Sequence, residues 1–243
     1  MDIINLPSPN FDDRPIDGPI DILLLHYTGM QTADEAINRL RDPAARVSSH
    51  YVVDEDGSIL CLVPEEKRAW HAGVSYWTGA REINARSIGI EIVNPGHEFG
   101  YRPFPVPQMQ AVTALSQQIV ARHAIPARRV IGHSDVAPLR KQDPGELFDW
   151  QGLAAQGVGL WPRPQPIVWN ETQFLQALNL YGYDIDGPAG TAPATMHHAA
   201  ILAFQRHFAP TRLDGRVDDA LSAVLHGLLL AAGIDPTPIL ARA

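Results

Sequence analysis

Cysteine is nearly absent from this 243-residue chain. Cys61 is the single one, which excludes an intrachain disulfide framework and any cysteine-based zinc site; in Ser58-Ile59-Leu60-Cys61-Leu62-Val63 it reads as a strand residue of the core. No apolar run approaches the roughly 20 residues that span a bilayer. The opening Met1-Asp2-Ile3-Ile4-Asn5-Leu6-Pro7-Ser8-Pro9-Asn10 has no basic start and no apolar stretch of signal-peptide length. The expectation is a protein with no membrane partner and a cytoplasmic address, the alternative being a periplasmic or wall-associated one. Positive charge is scarce as well. Lys and Arg number 19 against 27 Asp and Glu, a net charge of −8, which argues against nucleic acid as the main partner because a phosphate backbone needs a basic face. What is present is ordinary for a globular chain, long enough for one large domain or two smaller ones.

After an irregular, proline-bearing opening, Asp21-Ile22-Leu23-Leu24-Leu25-His26 reads as a buried strand. Thr32 with Glu35 fits a capping box that starts a helix. Ser49–Asp54 and Ser58–Val63 flank Asp56-Gly57 as a hairpin. In Ser87-Ile88-Gly89-Ile90-Glu91-Ile92-Val93 a period of two puts Ile88, Ile90 and Ile92 on one face and Glu91 on the other. A long helix is predicted from about Pro107 to His123, then a short strand over Arg128–Ile131. The pattern implies an α/β fold with a mixed central β-sheet flanked by helices. Residues 157–170, rich in proline and glycine, read as a linker between a domain over 1–156 and a small helical domain over 171–243. Helices are expected there at 171–181, 195–208 and 218–231.

The chemistry-bearing segment is Gly132-His133-Ser134-Asp135-Val136-Ala137-Pro138-Leu139-Arg140-Lys141-Gln142-Asp143-Pro144-Gly145. A neutral imidazole and a carboxylate both suit a divalent ion of intermediate softness, and zinc suits a mixed nitrogen and oxygen set best. His133 and Asp143 supply two ligands. A catalytic zinc takes three and leaves a position for water, and His26, closing its strand, is the candidate third. Asp143 can alternatively cap the turn at Pro144-Gly145, Glu91 can face water from a half-exposed sheet, and Lys141 can be a solvated charge.

These residues carry a resemblance. His26 after its strand, Ser87-Ile88-Gly89-Ile90-Glu91, Gly132-His133-Ser134-Asp135-Val136-Ala137-Pro138 and Arg140-Lys141-Gln142-Asp143-Pro144-Gly145 together resemble the zinc-dependent N-acetylmuramoyl-L-alanine amidases of the type 2, peptidoglycan-recognition-protein-like family. Ser48-Ser49-His50-Tyr51 and Ala69-Trp70-His71-Ala72-Gly73 add to the match, which covers roughly residues 7–152. The resemblance implies hydrolysis of the amide between N-acetylmuramic acid and L-alanine of the stem peptide, with His26, His133 and Asp143 holding zinc. Glu91 would handle the proton of the attacking water and Lys141 would stabilise the oxyanion. His71 and Asn94 are expected to line the substrate groove, and Arg46 to pair with a stem-peptide carboxylate. Trp70 and Trp77 read as packing residues. The segment from Phe174 to Gly187, with Ala199–Phe208, resembles a three-helix peptidoglycan-binding domain.

The absence of a visible export signal favours the 1,6-anhydromuramyl peptides released in wall recycling as substrate. The alternatives are a non-catalytic peptidoglycan receptor on the same fold and an exported amidase acting on intact wall.

Overall fold

The computed structural model describes residues 2–15 and 18–240; the tail 241–243, counted with the helical domain above, lies outside them. The strands are β1 (Ile3–Asn5), β2 (Phe11–Asp13), β3 (Ile22–Tyr27), β4 (Tyr51–Val53), β5 (Ile59–Cys61), β6 (Lys67–Ala69), β7 (Ser87–Ile92) and β8 (Val130–Gly132). Six of them form one sheet in the order β1-β5-β4-β7-β3-β8, and β2 pairs with β6 apart from it. Every neighbour in the large sheet is parallel except the β4–β5 hairpin, so the sheet is mixed, as expected.

β3 lies between β7 and β8, and its side chains pack into a core on each face, Leu23 and Leu25 into one and Ile22 and Leu24 into the other, which explains its unbroken apolar run: a strand covered on both faces has no solvent side to alternate with. Leu23, Leu24 and Leu25 are fully buried, each contributing about 1.5–3 kcal/mol of transfer free energy. The helices are α1 (Ala33–Arg41), α2 (Ile83–Arg86), α3 (Gly96–Phe99), α4 (Val106–His123), α5 (His133–Val136), α6 (Trp150–Ala155), α7 (Glu171–Tyr181), α8 (Pro193–Phe208), α9 (Asp219–Ala231) and α10 (Thr237–Leu240). Thr32 caps α1, accepting from the Glu35 N–H at 3.2 Å. One face of the sheet is closed by α4, whose Val112, Leu115 and Ile119 meet Leu23, Leu25, Ile88, Ile90 and Ile92. Glu91 therefore leaves β7 on the opposite face, with His26 beside it in register.

The three long C-terminal helices begin and end within two residues of their expected bounds. Asn170 and Gln173 start α7 with a reciprocal capping box, each side chain accepting from the other's backbone N–H. Two features differ from the sequence reading. The opening is not irregular throughout, since Ile3–Asn5 is the parallel edge strand beside β5 and Phe11–Asp13 pairs with β6. Residues 160–170 carry no helix or strand, yet they are fastened down: Trp169 is buried and the Gln165 N–H donates to the Ala223 carbonyl at 2.9 Å. The hydrophobic core runs on across this segment, from Ile22, Leu24 and Ile131 through Val136 and Trp77 to Phe174, Leu178 and Phe204.

Candidate metal centre

Three parallel strands deliver the site. β3 carries His26 one residue before its end, β7 carries Glu91 as its cross-strand neighbour, and β8 runs directly into His133 at the start of α5. The carboxyl edge of a parallel sheet is the usual place for a ligand in an open α/β fold. Asp143 returns to this edge because the Ser134 N–H donates to the Asp143 carbonyl at 2.9 Å. The Tyr101 hydroxyl pins the next turn, donating to the Pro144 carbonyl and accepting from the Leu147 N–H.

The three expected ligands converge. His26 Nδ1 lies 2.9 Å from His133 Nδ1 and 3.1 Å from Asp143 Oδ2, and His133 Nδ1 lies 3.0 Å from that same oxygen. Among the described residues they form the one group of three or more such side chains arranged to hold a metal. All three are almost fully buried. Burial and the neighbouring His133 pull the His26 imidazole down to about 4, which keeps it neutral at physiological pH. Burial raises Asp143, but its contacts with His133 and His26 outweigh that and hold its carboxyl well below the usual range.

The donor set fits a cation. His133 Nε2 lies 3.0 Å from the Ala72 carbonyl, which only accepts, so that nitrogen carries the ring proton. In the neutral ring Nδ1 is then bare and faces a carboxylate oxygen, acceptor against acceptor. A positive ion relieves that contact. A tetrahedral ion with bonds of ~2.0–2.1 Å sets its ligand atoms roughly 3.3 Å apart, close to the spacings here.

Glu91 and Lys141 line the same pocket of about 180 Å³, with Tyr27, Trp70 and Arg39. Glu91 is half-buried, and its Oε2 is buried with no hydrogen-bond partner among the described residues, so that oxygen belongs to no internal network. Burial, then the nearby Asp143, pushes its carboxyl well above the ordinary value. Asp143 is no simple turn cap either, since its carboxylate is directed at the two imidazoles.

The expected substrate-groove residues separate. Arg46 is exposed, with its guanidinium carbon 5.9 Å from the centre of the Trp70 ring at the pocket's edge. His71 lines the pocket but points both ring nitrogens inward, Nδ1 to His26 and Nε2 to Ser87. Asn94 is turned into the protein: its amide donates to the Arg102 carbonyl and its oxygen accepts from the Gly96 N–H. It fixes the loop after β7, because an asparagine there satisfies two backbone groups that the turn leaves open. Trp77 is buried in the core as expected, edge-on to Tyr183. The sequence reading missed Arg39, whose place in the last turn of α1 gave a helix-dipole reason for a cation there but none for a groove.

The family model described as N-acetylmuramoyl-L-alanine amidase matches residues 16–146. Over 239 residues the chain is 38% identical to the N-acetylmuramoyl-L-alanine amidase AmiD of Escherichia coli, covering 89% of this chain and 84% of that protein. It is 33% identical over 172 residues to the 1,6-anhydro-N-acetylmuramyl-L-alanine amidase AmpD of Enterobacter cloacae, covering 64% of this chain and 90% of that one. Among solved structures, Escherichia coli AmiD in complex with anhydro-N-acetylmuramic acid-L-Ala-D-gamma-Glu-L-Lys superimposes with a TM-score of 0.79 at 34% identity, over 94% of this chain and all of that one. AmpDh3 of Pseudomonas aeruginosa gives 0.79 at 30% identity, over 93% of this chain and 98% of that one.

Proposed function

The chain belongs to the N-acetylmuramoyl-L-alanine amidase family, and on that premise we propose that it hydrolyses the amide between N-acetylmuramic acid, in its 1,6-anhydro form, and L-alanine of the stem peptide. The observation that carries the reading is the convergence of His26 Nδ1, His133 Nδ1 and Asp143 Oδ2 in one pocket with an unpartnered Glu91 oxygen. The substrate class is supported by the relatives, whose names specify anhydromuramyl-L-alanine cleavage or whose structure holds an anhydromuramyl peptide.

In this reading His26, His133 and Asp143 hold zinc. Bound there, the ion would lower the pKa of a water toward ~7 and polarise the scissile carbonyl. Glu91 takes the proton of the attacking water on its carboxylate and returns it to the departing L-alanine amine, a poor leaving group until protonated. Its free oxygen leaves that capacity available. Lys141 supplies positive charge against the oxyanion of the tetrahedral intermediate. Arg39 and Arg46, cations around the pocket rim, are the groups suited to the stem-peptide carboxylates.

Residues 1–156 form the proposed catalytic domain, 157–170 the connection and 171–243 a peptidoglycan-binding-like domain. The cytoplasm is the proposed compartment. No helix among the described residues is long and apolar enough to cross a membrane, and fractionation of cells carrying the native gene tests the address.

The test of the activity is release of free stem peptide from a purified anhydromuramyl peptide, compared with intact sacculi. Faster turnover of the soluble fragment supports recycling. Faster turnover of sacculi favours an exported wall amidase, and zinc binding with cleavage of neither favours a receptor.

A further inference from the structure

Both candidate ligand rings turn Nδ1 toward the metal position and Nε2 away from it, and consecutive residues receive the two Nε2 atoms. His133 Nε2 meets the Ala72 carbonyl at 3.0 Å and His26 Nε2 meets His71 Nδ1 at 2.9 Å. The segment is itself held, since Asn84 Oδ1 accepts from the His71 and Ala72 N–H groups at 3.1 and 2.7 Å.

A carbonyl receiver settles the proton on His133. An imidazole receiver does not, because His71 Nδ1 can accept or donate. The next contact decides it. Ser87 Oγ lies 2.7 Å from the Ile83 carbonyl, so its one hydroxyl proton goes there. Its contact with His71 Nε2, at 3.2 Å, must then be an N–H donated to the serine oxygen. That leaves His71 Nδ1 bare, the proton of the His26–His71 contact on His26 Nε2, and His26 Nδ1 with a free lone pair. The chain Ile83 carbonyl, Ser87, His71, His26 thus passes one polarity from a backbone group to a ligand atom.

Resting on the zinc reading above, we propose that His71 is a positioning residue that fixes His26 in the metal-binding tautomer, with Ser87 fixing His71 in turn. It is not a substrate contact. Gly89 belongs to the same device: a Cβ at that position would come within 2.6 Å of His71 Nδ1, so only glycine lets the ring reach His26. Partners behind a ligand typically change metal affinity by about 10–100-fold.

Two measurements test this. Nitrogen-15 spectra of the histidine rings in metal-free protein should show His26 protonated on Nε2 and bare on Nδ1, with the two forms mixed in Ser87→Ala and His71→Ala. Zinc affinity, read by competition with a chelator, should fall about 10–100-fold in His71→Ala. It should largely recover in His71→Asn, whose Oδ1 replaces the accepting nitrogen. A wild-type His26 protonated on Nδ1 overturns the inference. So does unchanged affinity in His71→Ala, or His71→Asn binding no better than His71→Ala, which would reduce the residue to a space filler. If the wild type binds no zinc at all, the metal reading fails, while the ring spectrum still decides the proton order.

Discussion

Two histidine–aspartate groups lie buried beside α5, and they differ in one respect that separates a reactive site from a structural one. At the first, Asp143 faces His26 and His133, and the His133 nitrogen aimed at it is a bare acceptor in the neutral ring. At the second, Asp135 meets only donors: the Tyr183 hydroxyl at 2.6 Å, and His207 Nδ1 and the Gly132 N–H at 2.7 Å each. Burial and the nearby Asp135 push the Tyr183 phenol well above its ordinary value, so its proton stays in that bond. His207 is stacked on Trp150, 3.7 Å between centroids. Residue types and burial match closely in the two groups. What distinguishes them is whether the carboxylate's partners give protons or require a cation, together with the pocket that opens at the first.

Asp135 follows His133 by two residues, and its donors Tyr183 and His207 come from the C-terminal helical region. The helical region therefore grips the loop that carries a proposed ligand.

The largest expected effect at the first group is Glu91→Gln. It should keep zinc and lower kcat by about 10²–10⁴-fold, the range for losing a general acid–base group; an unchanged kcat would remove Glu91 from proton transfer. Lys141→Ala should follow at ~3 kcal/mol of transition-state stabilisation, on the order of 10²-fold in kcat/KM. A loss confined to KM would make Lys141 a binding group instead. Asp135→Asn, at the second group, should act on stability, costing about 1–3 kcal/mol in a denaturant melt by leaving a buried donor poorly matched, and should retain zinc. Loss of zinc from a stably folded Asp135→Asn would erase the distinction between the groups.

The ligand set was legible because each member stands where local pattern is strong: His26 at the end of an unbroken apolar strand, His133 and Asp143 in one short loop. The sheet's centre and the long helices were legible for the same reason, since periods of 2 and 3.6 need only neighbours. β1, β2 and β6 escaped notice because, unlike the equally short β4 and β5 joined by a tight turn, their pairing depends on segments more than 50 residues away. The Asp135–His207 pair spans 72 positions and left no local mark. His71, which does line the pocket, and Asn94, which is turned away from it, were both placed in the groove on residue type. Which way a polar side chain turns depended on which polar groups the tertiary fold left unsatisfied, and for these two the partners are His26 and Ser87, and Gly96 and Arg102.

Metal content decides whether His26, His133 and Asp143 form one zinc site. Protein stripped with chelator, reloaded and dialysed should hold one zinc per chain, and His133→Ala, still folded by circular dichroism, should hold none. Wild-type protein that retains no zinc, or a His133→Ala protein that retains one, would mean that these three residues are not the zinc ligands.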